Sequence, residues 1–110
     1  MTDPVGTLAA LAHPRRLAIF RLLVREGPGG TSAGAIARQL KLAPATLSFH
    51  LKEMALADLV SARPSGRFVY YAANYDTMNR LIAYLTENCC QGQTCVTDCR
   101  PEKMPSPVPA

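Results

Sequence analysis

Two short helical segments separated by only three residues constrain the fold of this chain more than any other feature. In the first, TSAGAIARQL, apolar side chains recur at i, i+3, i+4 and i+7 from Ala33 to Leu40, and the Thr-Ser pair before them can supply a cap. The step Lys41-Leu42-Ala43 follows, and Pro44 then suits the first position of a second helix, PATLSFHLKEMALADL. Two helices joined this tightly predict a helix-turn-helix unit.

The second of these helices has two chemically different faces. At about 100° per residue, Leu47, Leu51 and Met54 cluster on one side. The other side and its flanks carry small side chains, hydroxyls, an aromatic ring and a cation, namely Ala45, Thr46, Ser48, Phe49 and Lys52. We expect the first side to enter the core and the second to form a contact surface.

Two further helices are predicted before this unit. The first ends near Ala12, because Pro14 biases the residue before it away from helical geometry. Pro14 can open the next helix, in which six large apolar residues between Leu17 and Val24 leave only Arg21, Arg25 and the small Ala18 on the remaining arc. A helix of this kind is expected at the centre of the domain.

A hairpin and a last helix are predicted after the unit. Alternating residues indicate strands at Leu59–Arg63 and Arg67–Ala73, joined by a turn at Pro64-Ser65-Gly66. Asn74 can cap a helix that reaches about Asn88. Its apolar stripe, which is suited to packing on a second copy of the chain, consists of Met78, Leu81, Ile82 and Leu85.

Size and charge restrict the class of protein. A chain of 110 residues fits one small domain, for which pairing is a natural way to bury more surface. Twelve Lys and Arg against eight Asp and Glu give a net charge of +4, which favours an anionic partner such as nucleic acid. The start MTDPVG lacks the features of a secretory signal, and no apolar run approaches the roughly 18 residues of a membrane span. We therefore expect a cytoplasmic protein with reduced thiols and no membrane partner.

The order of elements, together with the stretches LAHPRRLAIFRLL and TLSFHLKEMALADLV, resembles the ArsR/SmtB family of metal-responsive bacterial repressors over about residues 5 to 88. The resemblance implies a winged helix-turn-helix homodimer, mainly α with a small β-hairpin wing, that binds double-stranded operator DNA. It also implies that the first and last helices form the dimer interface, which here gives Leu8, Leu11, Met78, Leu81, Ile82 and Leu85. Residues 1–88 would then be the DNA-binding and dimerisation domain.

The resemblance also places the helix opening at Pro44 in the major groove. There Thr46 and Ser48 offer hydroxyls to base edges or phosphates, and Ala45 and Phe49 suit thymine methyl groups. Phosphate contacts that position the duplex are expected from Lys41, Lys52, Arg63 and Arg67. His50 lies nearer the buried side of the wheel, so that both a packed histidine and a DNA contact stay open for it.

All four cysteines lie between positions 89 and 99, directly after the last predicted helix. The family's arsenic-sensing founders instead carry a cysteine pair on the first helix of the helix-turn-helix unit, where this chain has TSAGAIARQL. The cluster is similar to that of members whose sensory cysteines lie at the C-terminal end. Residues 89–99 are therefore predicted to be an inducer-binding tail, and the proline-rich residues 100–110 a disordered end.

Thiolates favour soft acceptors, and As(III) or Sb(III) would be satisfied by three sulfurs. We expect Cys89, Cys90 and Cys95 as the ligands, because only four residues separate Cys90 from Cys95 and Gly92 lets the loop turn; Cys99 can replace Cys95 or remain unused. Two alternatives stay open: a soft divalent ion such as Cd, Zn or Pb, and oxidation of the thiols. An enzyme is not expected, since the chain has no C-x-x-C motif and both histidines are far along the chain from the cysteines.

Overall fold

The computed structural model describes residues 3–92, which form five α-helices and a three-stranded antiparallel sheet. In chain order the elements are α1 (Pro4–Leu11), α2 (Pro14–Glu26), β1 (Thr31–Ser32), α3 (Ala33–Leu40), α4 (Pro44–Leu56), β2 (Val60–Ser65), β3 (Phe68–Ala73) and α5 (Tyr75–Leu85). A 3₁₀ turn at Cys89–Gly92 follows α5. The mainly helical order with a hairpin before the last helix confirms the predicted architecture.

Helix α2 is central, as its apolar sequence predicts. It contacts α1, α3, α4 and β3, and its Ile19 and Leu23 have no exposed surface. The hydroxyl of Tyr75 donates a hydrogen bond to the Val24 carbonyl at 3.1 Å, which fixes the start of α5 on the same helix. Leu17 is 46% exposed, so burial does not extend all the way around α2.

The predicted tight connection between α3 and α4 is confirmed. Ser32 caps α3, because its Oγ accepts a hydrogen bond from the Ala35 N–H at 3.2 Å, an interaction that typically stabilises a helix by about 1 kcal/mol. The cap at the other end, Lys41, has a φ of 56°, in the left-handed region that reverses the chain after a helix. The chain re-enters helical geometry at Pro44, where the absent N–H of proline leaves no donor unsatisfied.

The hairpin differs from the sequence prediction at its tip. Pro64 pairs with Val69 inside the sheet and Ser65 pairs with Phe68, so the connection is the two-residue turn Gly66-Arg67 and the predicted turn at Pro64-Ser65-Gly66 is wrong. Strand order is β1-β3-β2, which makes β2 an edge strand. Proline is tolerated on an edge strand because its missing N–H need not face a partner strand.

Strand β1 was not predicted, because two residues are too short to show a pattern. Thr31 pairs with Tyr71 and Ser32 with Tyr70, so the residue that caps α3 also belongs to the sheet. Gly30 permits this contact: its φ is 82°, and a Cβ at that position would lie 2.8 Å from the Tyr71 carbonyl oxygen. The sheet and the helix-turn-helix unit are therefore joined directly.

Helix α5 begins as predicted, with the Asn74 Oδ1 accepting a hydrogen bond from the Thr77 N–H at 3.2 Å. It ends at Leu85 and not near Asn88, because Thr86 leaves helical geometry and Asn88 has a φ of 57°. Within the described residues, no helix is long and apolar enough to cross a membrane. The predicted disordered end, residues 100–110, lies outside the described residues.

Candidate nucleic-acid interface and cysteine pair

The exposed face of α4 is set by the residues that anchor its other face. Leu47, Leu51 and Met54 are at most 2% exposed and pack into the core around α2. Because a helix repeats every 3.6 residues, this burial turns the intervening positions outward. The outward positions are those named from the sequence: Ala45, Ser48, Phe49 and Lys52 are exposed, and Thr46 is half-buried. Phe49 is 56% exposed, which is unusual for a phenyl ring without a partner surface.

His50 is buried, with 5% of its surface exposed, which favours the packed alternative left open by the sequence. Its Nδ1 accepts a hydrogen bond from the Nε–H of Arg16 on α2 at 3.1 Å. Its ring lies 4.8 Å from the ring of His13, whose own Nδ1 accepts a hydrogen bond from the Arg15 N–H and so caps α2. The start of α2 is thereby connected to the middle of α4.

Arg16 also reaches the exposed ring on α4. Its guanidinium carbon lies 5.8 Å from the centroid of the Phe49 ring, within the range of a cation–π contact. The Phe49 ring meets the His50 ring edge to face at 5.7 Å. The sequence does not predict Arg16 or His13 at this interface, because both precede Phe49 by more than 30 positions.

The surroundings of His50 oppose its protonation. Burial lowers its pKa below the ordinary value of 6.5, and the neighbouring charges of His13, Arg16 and Arg15 lower it further. The neutral ring also provides the lone pair on Nδ1 that Arg16 requires as an acceptor. The histidine is therefore held in its neutral form in the folded protein.

The free energy of unfolding should decrease as the pH falls below about 6.5, because the unfolded chain then takes up a proton that folded His50 resists. The part of the free energy of unfolding that depends on neutral His50 is fully present above pH 6.5. It decreases as the pH falls from 6.5 towards the lowered pKa of His50 in the folded protein. Urea unfolding at pH 8, 7, 6 and 5.5 measures this slope. The His50→Gln variant should show a shallower slope, and equal slopes would contradict the assignment.

The wing arginines have different environments. Arg63 donates a hydrogen bond to the Gly29 carbonyl at 2.9 Å and lies 5.3 Å over the Tyr70 ring, so its exposed side chain is held against the connection between α2 and β1. Arg67 lies in the turn itself, exposed beside Phe68, which is 58% exposed. The sequence does not predict the exposure of Phe68, because the register of the hairpin decides which of its side chains face the core.

The residues predicted at the dimer interface divide into two groups. Leu11 and Met78 pack against the core of their own chain, and Leu81 is half-buried. Leu8, Ile82 and Leu85 are 43%, 49% and 59% exposed. Helices α1 and α5 contact each other, so these exposed apolar side chains belong to two adjoining helices.

Cys89 and Cys90 follow α5 and bring their sulfur atoms to 3.5 Å from each other. Cys89 is half-buried and Cys90 is exposed. Cys90 and Gln91 have φ values of 53° and 55°, which β-carbon-bearing residues adopt at a cost and which turn the chain sharply after α5. The other two predicted ligands, Cys95 and Cys99, lie outside the described residues. Among residues 3–92, no three His, Cys, Asp or Glu side chains are grouped to hold a metal ion.

A family model described as a helix-turn-helix domain matches residues 11–62, from the end of α1 to the start of β2. Among curated relatives, the nodulation protein NolR of Rhizobium meliloti is 33% identical over 82 residues, or 74% of this chain. The match covers 65% of the length of that NolR. The transcriptional repressor SdpR of Bacillus subtilis (strain 168) is 29% identical over 82 residues, which are 71% of this chain and 88% of SdpR.

Solved structures give the same likeness. NolR from Sinorhizobium fredii is 34% identical with a TM-score of 0.62, covering 76% of this chain and 80% of that one. A second structure is the homodimeric winged helix-turn-helix DNA-binding domain of Mb0332 from Mycobacterium bovis, a possible ArsR-family regulator. It is 32% identical with a TM-score of 0.62, and the match covers 74% of this chain and 73% of that one. A possible transcriptional regulator for arsenical resistance is 28% identical with a TM-score of 0.64, and the match covers 73% of this chain and 80% of that one. SdpR is a transcriptional repressor and Mb0332 contains a DNA-binding domain, so the likeness is to regulators of transcription.

Proposed function

Because the chain belongs to the ArsR family of winged helix-turn-helix regulators, we propose that it is a dimeric transcriptional repressor released from operator DNA by trivalent arsenic or antimony. The observation that carries the proposal is the pair of sulfur atoms, Cys89 Sγ and Cys90 Sγ, 3.5 Å apart directly after α5. Cys95 supplies the third sulfur. Repression is the direction that the relative SdpR supports.

The exposed face of α4 is the DNA-reading surface in this proposal. An α-helix fits the major groove, where Thr46 and Ser48 meet base edges and Phe49 meets a thymine methyl group. Lys41 and Lys52 contact phosphates beside this helix, and Arg67 contacts them from the tip of the wing. Arg63 contributes less, because its guanidinium is already engaged by the Gly29 carbonyl and the Tyr70 ring.

A second copy of the chain covers the exposed apolar residues of α1 and α5. Leu8, Ile82 and Leu85, on these two adjoining helices, are between 43% and 59% exposed, which favours their burial against an identical surface. A two-fold pair also presents two copies of α4 to successive major grooves, about 34 Å apart. The homodimeric state of Mb0332 supports this arrangement.

The two sulfurs lie close enough together to bind one soft ion. With a metal–sulfur bond of about 2.3 Å, as in zinc thiolate sites, two sulfurs of one ion lie within about 4 Å of each other, and Cys89 Sγ and Cys90 Sγ are 3.5 Å apart. A trivalent arsenic or antimony centre binds three sulfurs and is soft enough to prefer thiolates.

Inducer binding acts on DNA through α5. Cys89 and Cys90 lie within five residues of Leu85, the last residue of the helix that carries the dimer surface. Closing three sulfurs on one atom fixes the chain beyond α5 and changes how the two copies of α5 meet, which alters the spacing of the reading helices. A coupling of about 1 to 3 kcal/mol would lower the affinity for DNA about 5- to 150-fold.

The second candidate is release by a soft divalent ion or by oxidation of the same cysteines. The adjacent thiols favour it, since their sulfurs are 3.5 Å apart and the exposed Cys90 can be reached by an oxidant as well as by a metal. In this case all four cysteines, or a disulfide among them, replace the three-sulfur centre. The DNA-reading surface is the same in both candidates.

Fluorescence anisotropy of a labelled duplex, selected from a random library with the reduced full chain, tests the proposal. Arsenite and antimonite should release the duplex at one equivalent per subunit, while zinc and cadmium should not. Release by the divalent ions alone would favour a four-sulfur site. Release by peroxide without any metal or metalloid would favour oxidation.

A further inference from the structure

The exposed ring of Phe49 is supported by α2, and not by its own helix alone. Arg16 donates its Nε–H to His50 Nδ1 at 3.1 Å while its guanidinium lies over the Phe49 ring at 5.8 Å. His50 and Phe49 are consecutive on α4, and their rings meet edge to face at 5.7 Å. One arginine therefore contacts two neighbouring rings, one of them 5% exposed and the other 56% exposed.

A half-exposed phenyl ring without support can adopt several rotamers, and fixing it on binding costs side-chain entropy. The contacts with Arg16 and His50 restrict the ring before DNA arrives. The buried histidine fixes the position of the arginine, because its Nδ1 is the acceptor for Nε–H and its ring is enclosed beside His13. Restriction of this kind sharpens the discrimination between bases that differ by one methyl group.

We propose that Arg16 is a positioning residue for DNA recognition, which holds the Phe49 ring against a thymine methyl group through its simultaneous contacts with Phe49 and His50. The inference rests on the proposed function of α4 as the reading helix. Arg16 itself need not touch a base. Its effect is on the preference for thymine at the base pair that Phe49 contacts. The duplex phosphates are contacted by other cations.

The arrangement requires a neutral His50. Protonation would place an N–H on Nδ1 facing the Nε–H of Arg16, and two donors cannot share a hydrogen bond. The titratable and charged groups facing the ring are His13 before α2 and Arg15 and Arg16 on α2. On α4 itself, Glu53 lines a groove together with Arg16. Acidic pH should therefore release Arg16 from His50 and weaken the restriction of Phe49.

Thymine-to-deoxyuridine substitution in the selected duplex measures this role. At pH 8, replacing one thymine of each half-site in turn should reveal a position at which wild type loses about fourfold in affinity, the effect of one methyl group of buried apolar surface. Arg16→Gln should lose this preference, so that the ratio of its affinities for the thymine duplex and the deoxyuridine duplex is near one. Arg15→Gln removes the same charge from the adjacent, exposed position and should keep the fourfold ratio.

The pH profile separates positioning from a merely structural role. The wild-type ratio should fall towards one as the pH is lowered from 6.5 through the lowered pKa of His50. In His50→Gln the amide oxygen can accept from Arg16 at any pH, so the ratio that this variant shows at pH 8 should stay constant over the same range. A fourfold ratio in Arg16→Gln, or a wild-type ratio of one at every thymine, would overturn the positioning role and leave DNA binding standing. Failure of wild type to enrich any duplex would overturn both proposals.

Discussion

Arsenite is expected to leave the Cys90→Ser variant bound to its duplex, although the same concentration releases wild type. Serine keeps the size of the side chain but has a hydroxyl that is not ionised at neutral pH and is a hard oxygen ligand. Cys90 is exposed and follows α5, so its replacement should change neither the core nor the reading face of α4. The 5- to 150-fold loss of DNA affinity expected for wild type should shrink to less than twofold.

The matched control for this variant is Cys99→Ser, which removes one thiol of the same cluster but leaves the three proposed ligands in place. It should respond to arsenite as wild type does. If Cys99→Ser is as unresponsive as Cys90→Ser, a four-sulfur site replaces the three-sulfur centre. If Cys90→Ser still releases its duplex, the sulfur pair after α5 is not the sensor.

The second large effect is expected from Ile82→Glu, which places a carboxylate in the apolar stripe of α5. Ile82 is 49% exposed in one chain, so the monomer should still fold, but burial of an unpaired charge between two copies would prevent pairing. A monomer engages one half-site only, and loss of the linked second contact should weaken binding to a two-half-site duplex at least 100-fold. Analytical ultracentrifugation and anisotropy measure the two consequences.

Ala83→Glu provides the control for Ile82→Glu. Ala83 is the next residue of α5, is exposed, and lies about 100° further around the helix, towards the polar side that carries the Asp76 and Arg80 ion pair of 2.7 Å. The variant adds the same charge and should remain a dimer that binds DNA as wild type does. A dimeric Ile82→Glu, or a monomeric Ala83→Glu, would show that the pairing surface lies elsewhere.

The helix-turn-helix unit could be predicted from sequence because its determinants are local. Helix caps, the proline at the start of α4 and the apolar period are all read within about four residues, and Leu47 and Leu51 lie on the buried side as their spacing predicts. The extent of α5 was less predictable. Its chain leaves helical geometry at Thr86, and no glycine or proline marks that end.

The environment of Phe49 could not be predicted, because it depends on residues distant in sequence. His50 could be assigned neither to the core nor to DNA until Arg16 was seen to donate to its Nδ1. The hairpin tip was misplaced for a related reason: Pro64 favours a turn locally, but its tolerance within β2 depends on that strand lying at the edge of the sheet.

The pairing of β3 on both sides has a consequence for how the wing can vary. The inner end of β3 is fixed on both sides, by Thr31 against Tyr71 and by Val60 against Ala73, whereas the pairing of β1 with β3 stops at Tyr70, short of the Gly66-Arg67 turn. Residues added or removed in pairs at this turn would lengthen or shorten the hairpin without changing which side chains of β3 face the core. The reach of the wing along a duplex can therefore diverge between relatives while the helix-turn-helix unit stays the same.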